Sequence, residues 1–208
     1  MFGIVNFETF IITGIILNIT PGTDTMYILS RSISQGKKAG ILSALGIATG
    51  AVFHILFATL GLSIIIAKSA IVFNAVKLLG AIYLIFLGIK TLVNKTTPNF
   101  ELSSNTMNYQ KIFISGIMTN ILNPKVALFF MAFLPQFINP VHIESPLPFL
   151  ILGTTFLTTG TIWCLVLALF ASKLSSKIRA NYTFKKWLDK ITGSIFIALG
   201  IKLAFTKR

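Results

Sequence analysis

Gly14-Ile15-Ile16-Leu17-Asn18-Ile19-Thr20-Pro21-Gly22-Thr23-Asp24 decides the fold, because it interrupts an apolar, bilayer-length segment with a proline and a glycine. Proline brings no backbone N–H and glycine adds a flexible link, so a helix stops there and restarts. The pattern Gly14-x3-Asn18-x2-Pro21 returns in the second half as Gly116-x3-Asn120-x3-Pro124. A second echo joins Lys77-Leu78-Leu79-Gly80, closed by Leu87-Gly88-Ile89-Lys90, to Lys190-Ile191-Thr192-Gly193, closed by Leu199-Gly200-Ile201-Lys202. Spacing slips by one residue within each pair, as in related sequence rather than perfect copying.

Spanning the hydrocarbon takes roughly 20 mostly apolar residues at about 1.5 Å of rise each. Six stretches qualify, 7–30, 39–66, 70–92, 111–134, 147–171 and 187–206, three in each half. Three is odd, so the second copy enters the membrane upside down relative to the first. The expectation is an all-α membrane protein with six transmembrane helices as two inverted three-helix repeats, helices one and four broken. Residues 1–92 form the first repeat, 93–110 a polar linker and 111–208 the second repeat, all in a single transmembrane domain. Breaks at matching places in inverted halves point to a secondary transporter, with its site where the breaks meet.

Composition agrees. The 208 residues are 54% hydrophobic and 11% charged, with mean hydropathy +0.84, which few soluble domains reach. Backbone groups in lipid must pair internally, and no stretch alternates as barrel strands do, so the spans are helices. The net charge of +13 invites a nucleic-acid reading, and its placement argues against one. With the N-terminus outside, the inner loops hold Arg31, Lys37 and Lys38, then Lys90, Lys95 and Lys111, then six bases between Lys173 and Lys190, twelve of the 18. The outer side holds Lys68, Lys77, Lys202, Lys207 and Arg208. That is the positive-inside bias, with both termini outside and inner loops suited to anionic lipid.

The first segment carries Glu8, no opening basic cluster and no small-residue cleavage pattern, so it reads as helix one and not as a signal peptide. Cys164 is the single cysteine, which excludes an intrachain disulfide, a CxxC pair and a thiolate metal cage; it reads as a small packing residue of helix five. After the first break the helix restarts at Thr23-Asp24, residue types that favour an N-cap. A polar turn is expected over Ser30–Lys38. Gly36, Gly40, Ser43, Gly46 and Gly50 then make a small-residue stripe for close helix approach. The polar stretch Val93–Gln110 reads as a mobile linker, Pro135 to Pro148 as an outer loop, and Lys173–Lys190 as an amphipathic basic segment with Trp187 at headgroup depth.

Of the five acids, Asp24 alone lies well inside a span. A charge there costs about 2.5–3.5 kcal/mol on insertion scales, more than the roughly 1 kcal/mol that a cap contributes. Asp24 is therefore a candidate for binding a substrate ammonium or a coupling proton. Lys125 is the basic residue deep in a span, beside Pro124 in the second break. If the breaks meet, Asp24 and Lys125 can neutralise each other, and a substrate with both an ammonium and a carboxylate can exchange with that pair; the alternative is that Lys125 snorkels to a surface. Asn18, Asn120 and Asn123 stand beside the breaks, to bind ligand or satisfy freed backbone groups. Pro21, Gly22 and Pro124 form the breaks. His54, one turn past Gly50, is a candidate proton relay, with interhelical hydrogen bonding the preferred reading. The phenylalanines read as lipid-facing or core filler. No nucleophile–base set, phosphate loop or metal cluster is present, so no catalytic residue, metal or cofactor is assigned.

At these residues the chain resembles the LysE/RhtB family of amino-acid exporters. Asn18-Ile19-Thr20-Pro21-Gly22-Thr23-Asp24 with Ser30-x5-Gly36-x3-Gly40-x5-Gly46-x3-Gly50 is similar to its amino-terminal signature. Leu79-Gly80-Ala81-Ile82-Tyr83-Leu84-x2-Leu87-Gly88 resembles its third-helix motif. Gly116-x3-Asn120-x2-Asn123-Pro124-Lys125, with Phe129-Phe130 and Phe133-Leu134-Pro135-Gln136-Phe137, resembles its fourth. The family usually reads Pro-Gly-Pro-Asp; Thr23 replaces the second proline, which removes one rigid turn and keeps Asp24 in place. The resemblance implies a bacterial inner-membrane exporter of amino acids or close derivatives, coupled to protons and often a homodimer. A redox enzyme of the thiol-relay kind would need two cysteines. A passive channel would be expected to show a ring of like polar residues, and a metal-cation exporter several oxygen or nitrogen ligands.

Overall fold

The computed structural model describes residues 2–62, 70–93 and 108–171, with scattered helical positions between 190 and 205. Its helices are α1 (Phe7–Ile19), α2 (Thr23–Phe57), α3 (Ala70–Val93), α4 (Tyr109–Ile121), α5 (Pro124–Leu128) and α6 (Pro146–Ala171). A π-helical turn, Ala58–Leu62, extends α2, and another, Phe129–Phe133, extends α5. Short 3-10 turns follow at Leu134–Phe137 and Pro140–His142, inside the stretch expected to be an outer loop. Among the described residues there is no strand, only an isolated antiparallel bridge between Ile4 and Ile138. Hydrogen bonds from Val5 N to Phe137 O (2.9 Å) and from Asn139 N to Gly3 O (2.7 Å) flank that bridge.

The first span turns back on itself at a single residue. Gly36 has φ 85° and ψ 179°, a backbone region open in practice only to glycine. In a straight helix Ile28 and Ala44 would stand about 24 Å apart; instead they share one buried cluster with Ile47 and Ala168. A carbon added at Gly40 would land on Ser32 Oγ, which places the two arms in contact. The turn expected over Ser30–Lys38 is thus contracted to Gly36, and 30–35 remain helical. Two of their polar side chains find partners within the helix: Ser34 Oγ donates to Ser30 O (2.7 Å) and Arg31 to Gln35 Oε1 (3.2 Å). Gly36 also leaves the expected packing stripe, since nothing lies within 4 Å of a carbon built there.

By length and composition two of the described helical stretches are long and apolar enough to cross a membrane, Thr23–Leu60, which bends at Gly36, and Pro146–Ala171. The bent pair Tyr109–Ile121 and Pro124–Phe137, inclined by 44°, makes a third if taken as one span; Phe7–Ile19 is a shorter apolar helix. The linker residues 94–107, the basic segment with Trp187, and most of the span expected at 187–206 lie outside the described residues. Gly200 packs on α3: a carbon there would meet Ala81 O at 2.8 Å and Ile85 Cγ1 at 2.7 Å.

The core is aromatic. Phe10 of α1, Phe129, Phe130 and Phe133 of the second π turn, Phe137 and Phe156 of α6 form one buried cluster, with Phe129 and Phe156 rings stacked 4.5 Å apart. Aromatic pairs of this kind contribute about 0.5–1.5 kcal/mol beyond area burial. The cluster joins α1, the corner after α5 and α6. On the other side α2 meets α4 backbone to backbone, where a carbon on Gly116 would stand 3.2 Å from Gly46 Cα. Without a hydrophobic force between helices in lipid, such close approach supplies the packing.

Candidate functional site

Each break leaves a carbonyl whose usual donor is missing, and each receives a donor from the opposite half. In α1 the carbonyl of Leu17 would accept from the N–H four residues on, which is Pro21 and has none. Lys125 Nζ donates to Leu17 O (3.1 Å) and to Thr20 O (3.0 Å), so the ammonium terminates α1. A cation at a helix C-terminus also opposes the negative end of its dipole. In α4 the carbonyl four residues before Pro124 belongs to Asn120. That oxygen accepts from Asn123 N at 2.9 Å, and His54 Nε2 from the first half lies 3.0 Å from it as a second partner; since a carbonyl only accepts, Nε2 carries the proton. The His54 ring also stacks on Phe130 at 5.9 Å.

Local geometry explains the restarts. Gly22 is the extended residue before α2, and no side chain caps that helix. Asp24 therefore lies in the first turn and is not the cap that its residue type suggested. At the second break Asn123 is a true cap, its Oδ1 accepting from Lys125 N at 3.0 Å. Lys125 does not snorkel: it is 7% exposed, and its terminal carbons run past Gly22, where an added carbon would stand 3.3 Å from Nζ.

Asp24 is held by Asn120, whose Nδ2 donates to Oδ2 at 2.8 Å. Lys125 bonds two backbone carbonyls, and Asp24 and Lys125 line one cavity of about 40 Å³. Asn18, Thr25, Asn120, Thr161 and Cys164 share its polar wall, and Ile47, Ala51, Val126, Phe156 and Leu157 its apolar wall. Three buried polar atoms at the breaks have no protein partner: Asp24 Oδ1, Asn120 Oδ1 and Asn123 Nδ2. Such atoms normally cost about 1–3 kcal/mol each, so their clustering marks the site. Asn18 turns to α6, its Nδ2 donating to Thr159 Oγ1 at 3.2 Å.

Asp24, Lys125, Asn18 and Asn120 thus meet at one cavity, with Pro21, Gly22, Pro124 and Asn123 shaping the backbone around it. His54 stands behind Asn120 and does not line it. Cys164 packs against the Ile28–Ala44–Ile47–Ala168 cluster as expected and also lines the cavity, a position that sequence reasoning did not give it; Thr161 on the same wall was not singled out. The run Thr158-Thr159-Gly160-Thr161 in an otherwise apolar span carried the signal. Among the described residues no cluster of His, Cys, Asp and Glu suits a metal.

Contacts across the two halves also correspond. Asn18 lies against Gly160 as Asn120 lies against Gly50. Four residues earlier in each helix, Gly14 lies against Phe156 as Gly116 lies against Gly46.

Known proteins are similar to this chain along most of its length. An uncharacterized membrane protein of Bacillus subtilis, YrhP, is 38% identical over 88% of the chain and 91% of its own length. A leucine efflux protein of Salmonella typhimurium is 28% identical over 98% of the chain and 96% of its own length. An uncharacterized membrane protein of Vibrio cholerae is also 28% identical, over 95% and 96%. No solved structure matches. The profile of the LysE type translocator matches residues 15–207. With its apolar helices and paired breaks, this multi-pass membrane protein belongs to the LysE type translocator family, whose members are transporters and not enzymes.

Proposed function

We propose that the protein exports an amino acid across the bacterial inner membrane in exchange for protons, by alternating access within six helices arranged as two inverted repeats. One observation carries the reading. Asp24 and Asn120, each with one side-chain oxygen (Oδ1) that has no protein partner, line the same cavity as Lys125. An ammonium has three donors and Lys125 uses two, so one remains. Two acceptors suit the amine of a zwitterion, and the third Lys125 donor suits its carboxylate. The leucine efflux protein of Salmonella supports the amino-acid class.

The matched contacts of Asn18 with Gly160 and Asn120 with Gly50 support the repeat, because a two-fold exchange of halves turns one pair into the other. The cavity holds about three waters and no amino acid. Loading therefore separates the halves on one side, and release separates them on the other. Asp24, the lone acid deep in the span, is the group that exchanges substrate amine for proton. Both termini lie on the outer side by the distribution of basic residues.

The test uses purified protein in vesicles loaded with a panel of radiolabelled amino acids under an imposed proton gradient. Efflux that exceeds protein-free vesicles and collapses with a protonophore supports the reading. If no amino acid moves faster than in empty vesicles, it is wrong; efflux indifferent to the gradient removes proton coupling alone.

A further inference from the structure

We infer that the side chain of the exported amino acid lodges in a second pocket, between α1 and α6, that Asn18 separates from the polar cavity. The inference rests on the amino-acid reading above and names the side-chain class. The second pocket measures about 230 Å³, against about 40 Å³ for the polar cavity. Asn18 lines both and is the partition between them, held across the α1–α6 seam by its bond to Thr159 and pressed against Gly160. Turning Asn18 away from Thr159 joins the two volumes. The amine and carboxylate then remain at Asp24, Asn120 and Lys125, and the side chain enters the larger space.

The pocket's chemistry selects that side chain. Ile15, Ile19, Ile162 and Val166 form its walls with the Trp163 ring, and no charged residue lines it. Trp163 Nε1 is buried without a protein partner, a lone donor that disfavours a cation. The wall residues Ile15, Ile19, Ile162 and Val166 are exposed on the apolar surface that acyl chains cover. A charged group there costs about 2.5–3.5 kcal/mol on insertion scales, whereas an aliphatic one is at home. In the polar cavity, Asp24 and Lys125 are the charged lining residues, and the two ends of the zwitterion engage both. No countercharge remains for a lysine, arginine or glutamate side chain. The substrate class is therefore a neutral amino acid with an aliphatic side chain of about leucine size.

Vesicle efflux of alanine, leucine, lysine and glutamate by the unaltered protein is the first arm, and leucine is expected to lead. Preferred export of lysine or glutamate overturns the inference and leaves the amino-acid reading intact, whereas no movement of any of the four defeats that reading first. The second arm fills the pocket with Ile162→Trp and, separately, Val166→Trp. The leucine-to-alanine efflux ratio is expected to fall about tenfold or more, the scale on which pockets discriminate alkyl groups. An unchanged ratio in a variant that still exports alanine means that acyl chains alone occupy the pocket, and the inference fails. If neither variant folds, the unaltered protein's ranking decides.

Discussion

Asn120 and Asp24, far apart in the chain, meet across the two helix breaks, the amide Nδ2 donating to the carboxylate Oδ2 at 2.8 Å while Oδ1 keeps no protein partner. The bond orients one oxygen and leaves the other free to take a cation. Asp24→Asn preserves an acceptor toward Asn120 and removes the charge. Its efflux is predicted to fall by about one to two orders of magnitude, the cost of removing a charged hydrogen bond of about 1.5–3 kcal/mol. Equal rates for Asp24→Asn and the unaltered protein in loaded vesicles would discard the carboxylate's role.

Lys125→Met strips the donor from Leu17 O and Thr20 O. Each carbonyl left unpaired in the bundle costs about 1–3 kcal/mol, so the variant is predicted to melt at lower temperature in detergent as well as to lose transport. Lys125→Arg, which keeps the charge and several donors, is predicted to recover more stability than activity. A melting temperature unaffected by Lys125→Met would show that the two bonds contribute nothing.

His54 adds a second donor to the Asn120 carbonyl, which also accepts from Asn123 N. His54→Gln retains an N–H donor and cannot carry protons through a ring, whereas His54→Phe retains neither property. The prediction is that His54→Gln exports with unaltered proton coupling and that His54→Phe is destabilised by about 0.5–1.5 kcal/mol, the net value of one hydrogen bond. Loss of coupling in a stable His54→Gln protein would restore the relay reading.

Gly36 and Gly46 test two different demands on glycine. Gly36 has open space around it and a backbone at φ 85°, so Gly36→Ala is predicted to cost about 1–3 kcal/mol in strain alone. Gly46 has ordinary helical backbone, but an added carbon would fall on Phe113 O and stand 3.1 Å from Gly116 Cα. Gly46→Ala must push α2 from α4, at about 1–3 kcal/mol, and Gly46→Leu is predicted to abolish folding. Thermal unfolding in detergent measures all three.

Cys164 is the single thiol and lines the polar cavity. A small membrane-permeant methanethiosulfonate is predicted to block efflux of the unaltered protein, with excess substrate slowing the block. Cys164→Ser is predicted to be insensitive. Block of the Cys164→Ser protein at the same rate would place the reagent's action elsewhere.

Proline and glycine announce themselves because their effects are on the backbone, so both breaks were legible from the residues, as was the meeting of Asp24, Lys125 and the asparagines around them. Four features were not. Lys125 bonds main-chain oxygens of Leu17 and Thr20, and a carbonyl leaves no mark on residue type. Ser30, Arg31, Ser34 and Gln35 looked like a loop because they are polar, yet Ser34 and Arg31 find partners along their own helix. Thr23 and Asp24 have capping chemistry, but the chain starts its helix one residue after Gly22 and leaves them inside it. The π turns at Ala58–Leu62 and Phe129–Phe133 carry no compositional sign at all.

The single ammonium that finishes α1 also faces the chamber. Any anionic guest that draws Lys125 toward itself tugs on the same protons that keep the last turn of α1 tied down. If cargo binds as proposed above, its arrival and the loosening of the hinge are one chemical event at Nζ, and no longer wire is needed between what the protein carries and the backbone that must move.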